Sequence, residues 1–438
     1  RVYYLDSTAE EAVGKEGDYA IQNGSILPKT SDELKVLTCG VEESELGELF
    51  TADEEGINNG YPVLLWQTDK TATDPDGPSP SEDGWDGTAS EQAPEQIEGV
   101  YQLESPGDLK WFADSAENTP DIKGVLTEDV DLNNQPWEPI GGNREEKAFL
   151  GMLDGNGYTV NNLYIKGGSG AGLIAYNKGS IKNVIISGLI KNADNSGAVA
   201  GYNEGLISEV ISNVTVSGGN YTSGISGVNL KGGTIIKCTN NGNVSGGSYV
   251  SGITASNKGG SISESVNTGL VTATGTFAAG IAADNTNDKD FDGNISRCVN
   301  SGHIISTAKS RSAFVGGIIG RNDSNVLSLY NTGNVVSRGS GVGGCVGINT
   351  VGSKAEKLYS IGDVSGAYQE TESSEEFRVG GAVGEMVSGV SEAYYLNLLD
   401  IAASGSNGGE AVPLAEILIK AESLMEMTDL KKAIDGSL

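Results

Sequence analysis

The sequence predicts an all-β chain, a parallel β-helix (β-solenoid) with short capping helices, on three observations. The first is a repeated string, small-small-apolar-x-small-x-Asn. It reads Ala171-Gly172-Leu173-Ile174-Ala175-Tyr176-Asn177 and returns at 197–203, 223–229, 251–257, 279–285, 316–322 and 343–349, with a degenerate copy at 380–386. Its asparagines, Asn177, Asn203, Asn229, Asn257, Asn285, Asn322 and Asn349, lie 26, 26, 28, 28, 37 and 27 residues apart, the fixed period of a stacked repeat array. The second is a set of further columns in step with the string. These are Ile181, Ile207, Ile235, Ile262, Ile295 and Val326, then Gly188, Gly242, Gly269, Gly302 and Gly333, then Ile190, Val216, Val244, Val271, Ile304 and Val335. Short β-branched runs broken by Gly and Asn are strands joined by tight turns, because both residues tolerate positive φ. The third is an absence: apolar residues nowhere keep helical spacing in this stretch, so the crossover helices of a βαβ array are missing. Each repeat is then one coil, hydrogen-bonded to its neighbours at about 4.8 Å, with Leu173, Val199, Ile225, Ile253, Ile281 and Ile318 pointing inward.

The remaining elements follow in order. Residues 1–67 read as the tail of a preceding module. Tyr3-Tyr4-Leu5-Asp6 is echoed by Tyr394-Tyr395-Leu396-Asn397, Thr30-Ser31-Asp32-Glu33-Leu34 is a capping box opening a short helix, and Asn58 to Trp66 forms a closing strand. Residues 68–96 have a linker composition, with Pro75, Pro78, Pro80 and Pro94 among Asp, Ser and Gly. Residues 97–123 are an N-terminal capping segment, in which 105–117 form an amphipathic helix over the otherwise exposed strand edge of the first coil. Residues 124–400 are the β-helix and 401–438 a helical tail, with Thr428 to Lys431 beginning its helix. The absence of a signal sequence before Arg1 suggests a piece of a longer chain.

Gly317-Ile318-Ile319-Gly320 and Gly344-Cys345-Val346-Gly347 resemble the Gly-Leu-x-Gly core of the GLUG repeat of bacterial surface proteins. Leu126 to Leu132, Trp137 to Gly141 and Phe149 to Gly157 are similar to the opening rungs of the same modules, so the resemblance covers roughly residues 100–400. It implies a right-handed β-helix in a secreted or cell-surface bacterial protein, either adhesin-like or a non-peptidase region of an immunoglobulin A peptidase-like protein. Host immunoglobulin is the partner it suggests.

A net charge of −31, with 28 Lys and Arg against 59 acids, excludes nucleic acid and anionic membrane surfaces as partners. No stretch approaches the roughly 20 apolar residues of a membrane helix. Of the four cysteines, Cys238 and Cys298 share an inward column two coils apart with Ser265 between them. Two coils span about 9.6 Å, beyond disulfide reach, so Cys39, Cys238, Cys298 and Cys345 are all expected as thiols.

The chemistry is sparse. His303 is the only histidine, which rules out two-histidine zinc motifs, and it stands beside a turn glycine with no partner requirement. Gly339-x-Gly341-x-x-Gly344 matches a dinucleotide fingerprint in spelling, but its glycines already belong to the small-residue column. One string stands above background: Asp288, Asp290 and Asp292 before Gly293, with the carbonyl of Asn294, could direct hard oxygens at one point and hold Ca2+. It lacks an acid at the twelfth position, where Val299 stands, and a solvated acidic turn is the alternative. No cofactor is required. Asn240, Asn267, Asn300 and Asn331 read as a ladder satisfying turn backbones and one another, while Tyr202, Tyr221, Tyr249 and Tyr368, outside the columns, either line a sugar-binding or protein-binding face or are isolated aromatics incidental to the surface. The function expected is a non-catalytic surface or secreted binding module for a host glycan or glycoprotein. The alternatives are a polysaccharide lyase or hydrolase built on Asp129 and Asp131, and an accessory region of a large secreted peptidase.

Overall fold

The computed structural model describes the backbone at residues 2–5, 26–29, 50–51, 63–64, 78–310, 312–339, 341–366, 378–387, 389–396 and 410–412. The chain divides into two units, Arg1–Ser79 and Pro80–Leu438. In the first, Val2–Leu5 pairs in parallel with Ile26–Lys29, and Phe50–Thr51 pairs antiparallel with Val63–Leu64. In the second, Tyr394, Tyr395 and Leu396 pair in parallel with Glu410, Ala411 and Val412, so the two Tyr-Tyr-Leu segments each recruit a later strand in the same sense. The proposed helices at Thr30 and Thr428 and the cysteine Cys39 lie outside the described residues.

The second unit is a parallel β-solenoid. One eight-stranded sheet takes a strand from each successive coil, from Ile174–Asn177 to Val383–Met386, and the pairing is strictly in step: Asn177 opposite Asn203, Asn203 opposite Asn229, Asn229 opposite Asn257. The predicted inward columns are the core. Leu173, Val199, Ile225, Ile253, Ile281 and Ile318 are buried, as are Ile190, Val216, Val244, Val271, Ile304 and Val335. Each such side chain leaves water for about 1.5–3 kcal/mol, and one arrives per column per coil.

Two polar columns run through the same interior. Asn240, Asn267 and Asn300 each donate to the next amide oxygen at 2.8 Å, Asn331 donates to the Ser360 hydroxyl at 3.4 Å, and all four also donate to a carbonyl two residues on. The anchor asparagines do the same, from Asn177 to Asn349, at 2.7–2.8 Å. Their role exceeds that of period markers, because these amides too are buried and hydrogen-bonded along the stack; in the other column Asn240 Oδ1, facing the coil that carries Ser212, is left without a partner. The ladder also explains a column of small residues. A Cβ on Gly252 would fall 2.1 Å from Asn267 Oδ1 and 2.4 Å from the Gly280 carbonyl, so only glycine fits beneath the amide. Ala198, the alanine of this column, stands in the coil whose ladder position is the smaller Ser212.

Each coil turns a corner on a left-handed residue that is not glycine: Asn183, Glu209, Lys237, Glu264, Arg297, Ser328, Lys357 and Glu392, with φ between 51 and 59°. Such conformations cost about 1 kcal/mol or more each and persist because the hydrogen-bonded stack fixes them. Ion pairs link two steps of this exposed edge, Lys237 to Glu209 at 3.8 Å and Arg297 to Glu264 at 3.0 Å.

A helix packs against the first coil. Helix α1, Pro106–Ala116, starts at Ser105, whose Oγ accepts from the Asp108 amide at 3.2 Å. It buries Leu109, Phe112, Ala113 and Ala116, with the Phe112 ring lying over Gly124. The segment ahead of it is pinned to the coils, since Asn133 Oδ1 accepts from the Ser81 amide at 2.8 Å and Asn133 Nδ2 donates to the Trp85 carbonyl at 3.0 Å.

Candidate binding face

Eight residues before four consecutive anchor asparagines stand Tyr221, Tyr249, Phe277 and Phe314. The stacking of coils brings these rings into one column. Centroids lie 4.5 Å apart for Tyr221 and Tyr249 (planes 9° apart), 4.9 Å for Tyr249 and Phe277, and 6.0 Å for Phe277 and Phe314. The column ends where the next coil carries Gly341, over which the Phe314 ring folds. Tyr221 and Tyr249 are therefore not isolated, as a position-by-position reading of the sequence suggests. Both are half-buried, and both are held at left-handed φ, 58° and 61°. Burial first, with Tyr249 and Asp284 nearby, pushes the Tyr221 phenol above its usual range and keeps it a neutral hydroxyl. Tyr368 lies outside the described residues.

Beside this column runs the outward position of the eight-stranded sheet: Tyr176, Tyr202, Val228, Ser256, Asp284, Arg321, Ile348 and Glu385. Arg321 joins the two columns. Its Nε and Nη2 donate to Asp284 at 2.7 and 3.0 Å, while its guanidinium lies 5.3 Å from the Phe277 ring centre. Hydrogen bonding to Asp284 holds the guanidinium charged. Further along, Tyr176 and Tyr202 stack at 5.5 Å, and the Tyr176 hydroxyl donates to Glu204 at 2.6 Å. Glu204 is also paired with Lys178, which reaches Glu145. Tyr176, Glu204, Lys178 and Glu145 are bonded to one another and tie the 145–147 turn to the coils.

The other residues singled out in the sequence take architectural places. Asp129 Oδ1 accepts from the Thr159 amide, and Asp131 Oδ1 accepts from the Asn133 amide and from Asn162, each at 2.8 Å. His303 has a partner after all: its Nδ1 accepts from the Asn334 amide at 3.3 Å, as Asn334 Oδ1 does from Asp363 at 3.0 Å. Side chains in this column cap the next coil's backbone, which sequence alone does not show. Asp288 and Phe291 exchange backbone hydrogen bonds at 2.9 and 3.0 Å, closing a tight turn at the tip of the insertion. Asp290, Asp292 and Asn294 are exposed, and Asp292 Oδ2 accepts from Asn325 at 3.4 Å. Among the described residues no three acidic, His or Cys side chains converge where a metal ion would sit. Cys238, Cys298 and Cys345 are buried thiols, and burial pushes Cys238 and Cys298 up to about 12.

The chain matches no family model, so the GLUG resemblance rests on its own residues. It is 31% identical over 159 residues to halomucin of Haloquadratum walsbyi (strain DSM 16790 / HBSQ001), a match to 33% of this chain and 2% of that protein. The chain therefore spans a small fraction of that relative's length. Among solved structures it is similar to "a putative immunoglobulin A1 protease from Bacteroides ovatus", at 17% identity and a TM-score of 0.46, over 69% of this chain and 87% of that one.

Proposed function

We propose that this chain is a non-catalytic module of a secreted or cell-surface bacterial protein, and that it presents its aromatic face to a host glycan or glycoprotein. The observation that carries this reading is the column Tyr221, Tyr249, Phe277 and Phe314, set beside the paired Asp284 and Arg321. Tyr221, Tyr249 and Phe314, half-buried around the buried Phe277, offer rigid contact area at low entropic cost, and the two tyrosines carry hydroxyls that hydrogen-bond. The extracellular setting is supported by the repeat resemblance and by the acidic composition. No helix among the described residues is long and apolar enough to cross a membrane. Immunoglobulin is the glycoprotein to try first, on the strength of the repeat resemblance.

The competing reading, a polysaccharide lyase or hydrolase, needs an acid, a base and a cation facing one bond. Asp129 and Asp131 instead serve as acceptors for neighbouring strands. The test is an array of host glycans, glycoproteins and immunoglobulins, run beside turnover assays on acidic polysaccharides and common glycosides. Binding without turnover is expected. Reproducible turnover abolished by Asp129→Asn or Asp131→Asn would replace the module with the enzyme.

A further inference from the structure

The class of glycan follows from how charge and ring edges are distributed on this face. The chain carries a net charge of −31, and near Tyr221 and Tyr249 stand the buried Val228 and Ser256, the guanidinium of Arg321 already paired with the buried Asp284, and the exposed Asp194, which accepts from the Asn220 amide next to Tyr221 at 2.7 Å. A face whose nearby guanidinium is already paired, and whose exposed charge is a carboxylate, offers nothing to hold a polyanion, and the surrounding acidic field repels one. The strip also lacks what a protein partner's anchor residue requires. Phe277 is only 7% exposed, and the tyrosine rings cover each other's faces at 4.5 Å, so no apolar pocket opens between them. What solvent meets is a row of ring edges and phenol hydroxyls, repeated at coil spacing along the stacking direction.

We infer that the occupant is an extended, uncharged oligosaccharide lying along the stacking direction over Tyr221 and Tyr249, its hydroxyls exchanging hydrogen bonds with the two phenols and its C–H edges resting on the rings towards Phe314. This rests on the binding-module reading above and narrows its ligand.

The test is calorimetric titration of the whole chain with linear neutral oligosaccharides of increasing length, made of β-linked glucose or N-acetylglucosamine, and with uronic acid oligomers of matching length. Affinity should rise with length and level off once the oligomer spans the column. Tyr249→Ala should weaken binding by about tenfold or more, as truncating a central tyrosine does. Tyr249→Phe keeps the ring, so it should retain the fold and lose about threefold through the missing hydroxyl. Uronic acid oligomers should bind more weakly, and added salt should narrow the gap by screening repulsion. Affinity independent of length, tighter binding of the uronic series, or unchanged binding by folded Tyr249→Ala would overturn the inference. If neutral oligomers fail while a glycoprotein is captured through Tyr249, this inference falls and the module reading stands. If nothing on the array binds either, both fall.

Discussion

Two ladders climb this solenoid in the same register, one inside and one outside, and they do different work. The inner asparagines from Asn177 to Asn349 are buried, each amide giving one hydrogen bond to the next coil and another to a nearby carbonyl or strand. Such a column has little capacity left for a ligand, and its energy goes into coil register. The outer rings from Tyr221 to Phe314 stack on one another, and the Tyr221 and Tyr249 hydroxyls also bond to each other, leaving ring edges and the remaining capacity of the hydroxyls at the surface. Repetition alone therefore does not mark a binding surface in a solenoid. Unspent bonding capacity does.

Asn257→Ala should give the largest loss. Asn257 accepts from Asn229 at 2.7 Å and donates to Asn285 at 2.8 Å and to the Gly260 carbonyl at 2.9 Å, so truncation strands buried polar atoms on both sides. At about 1–3 kcal/mol for each unsatisfied group, denaturant unfolding should show a loss of about 4 kcal/mol. Asn241→Ala, on the surface, should stay within about 0.5 kcal/mol. Equal effects would erase the distinction between inner and outer positions. Gly252→Ala should cost about 2–3 kcal/mol by overpacking beneath Asn267, and Asn267→Ser in the same chain should restore only part, because the Gly280 carbonyl remains in the way.

Alkaline pH sharpens the comparison next. Cys238 and Cys298 have folded values raised from 9.0 to about 12, so folding favours their neutral forms. The stability they contribute is complete below about 9 and is lost as pH rises towards 12. Thermal midpoints should thus hold to about pH 9 and then fall. Thiol titration should find Cys238, Cys298 and Cys345 unreactive in the folded chain and all four cysteines free once it is unfolded. A count of two or fewer in unreduced protein would contradict the stacking that separates them. The smallest effect expected is that of chelation. If calcium occupies the Asp288 to Asn294 turn, its removal should loosen that insertion and leave the thermal midpoint of the coils nearly unchanged, because the inner ladder meets it only where Asn285 Nδ2 donates to the Gly293 carbonyl. A large drop in midpoint would make the cation structural.

The interior was legible in the sequence because each inward column repeats at every coil, so Leu173, Val199 and Ile225 identify one another. The Asn240 column was readable for the same reason. The anchor asparagines were visible as a period, but their hydrogen bonds depend on which way each side chain points, and spacing does not carry that. The aromatic column was hidden by its own ends. Asn195 and Gly341 occupy the flanking coils, and 37 residues separate Asn285 from Asn322, so Phe277 and Phe314 align only once the insertion is set aside. The signal was present at eight residues before each asparagine. His303 escaped in another way, since its column accepts backbone amides with Asn and His alike, and residue type does not reveal a shared acceptor.

Hydroxyl-radical footprinting of the chain, free and with a partner captured from the array, tests the division between the two ladders most directly. Oxidation of Tyr221, Tyr249 and Phe314 should fall on binding, while the exposed Phe291 and Leu327 react as before. Protection at Leu327 or Phe291 with Tyr221 and Tyr249 unchanged would show that the outer column is architecture and that the partner binds elsewhere.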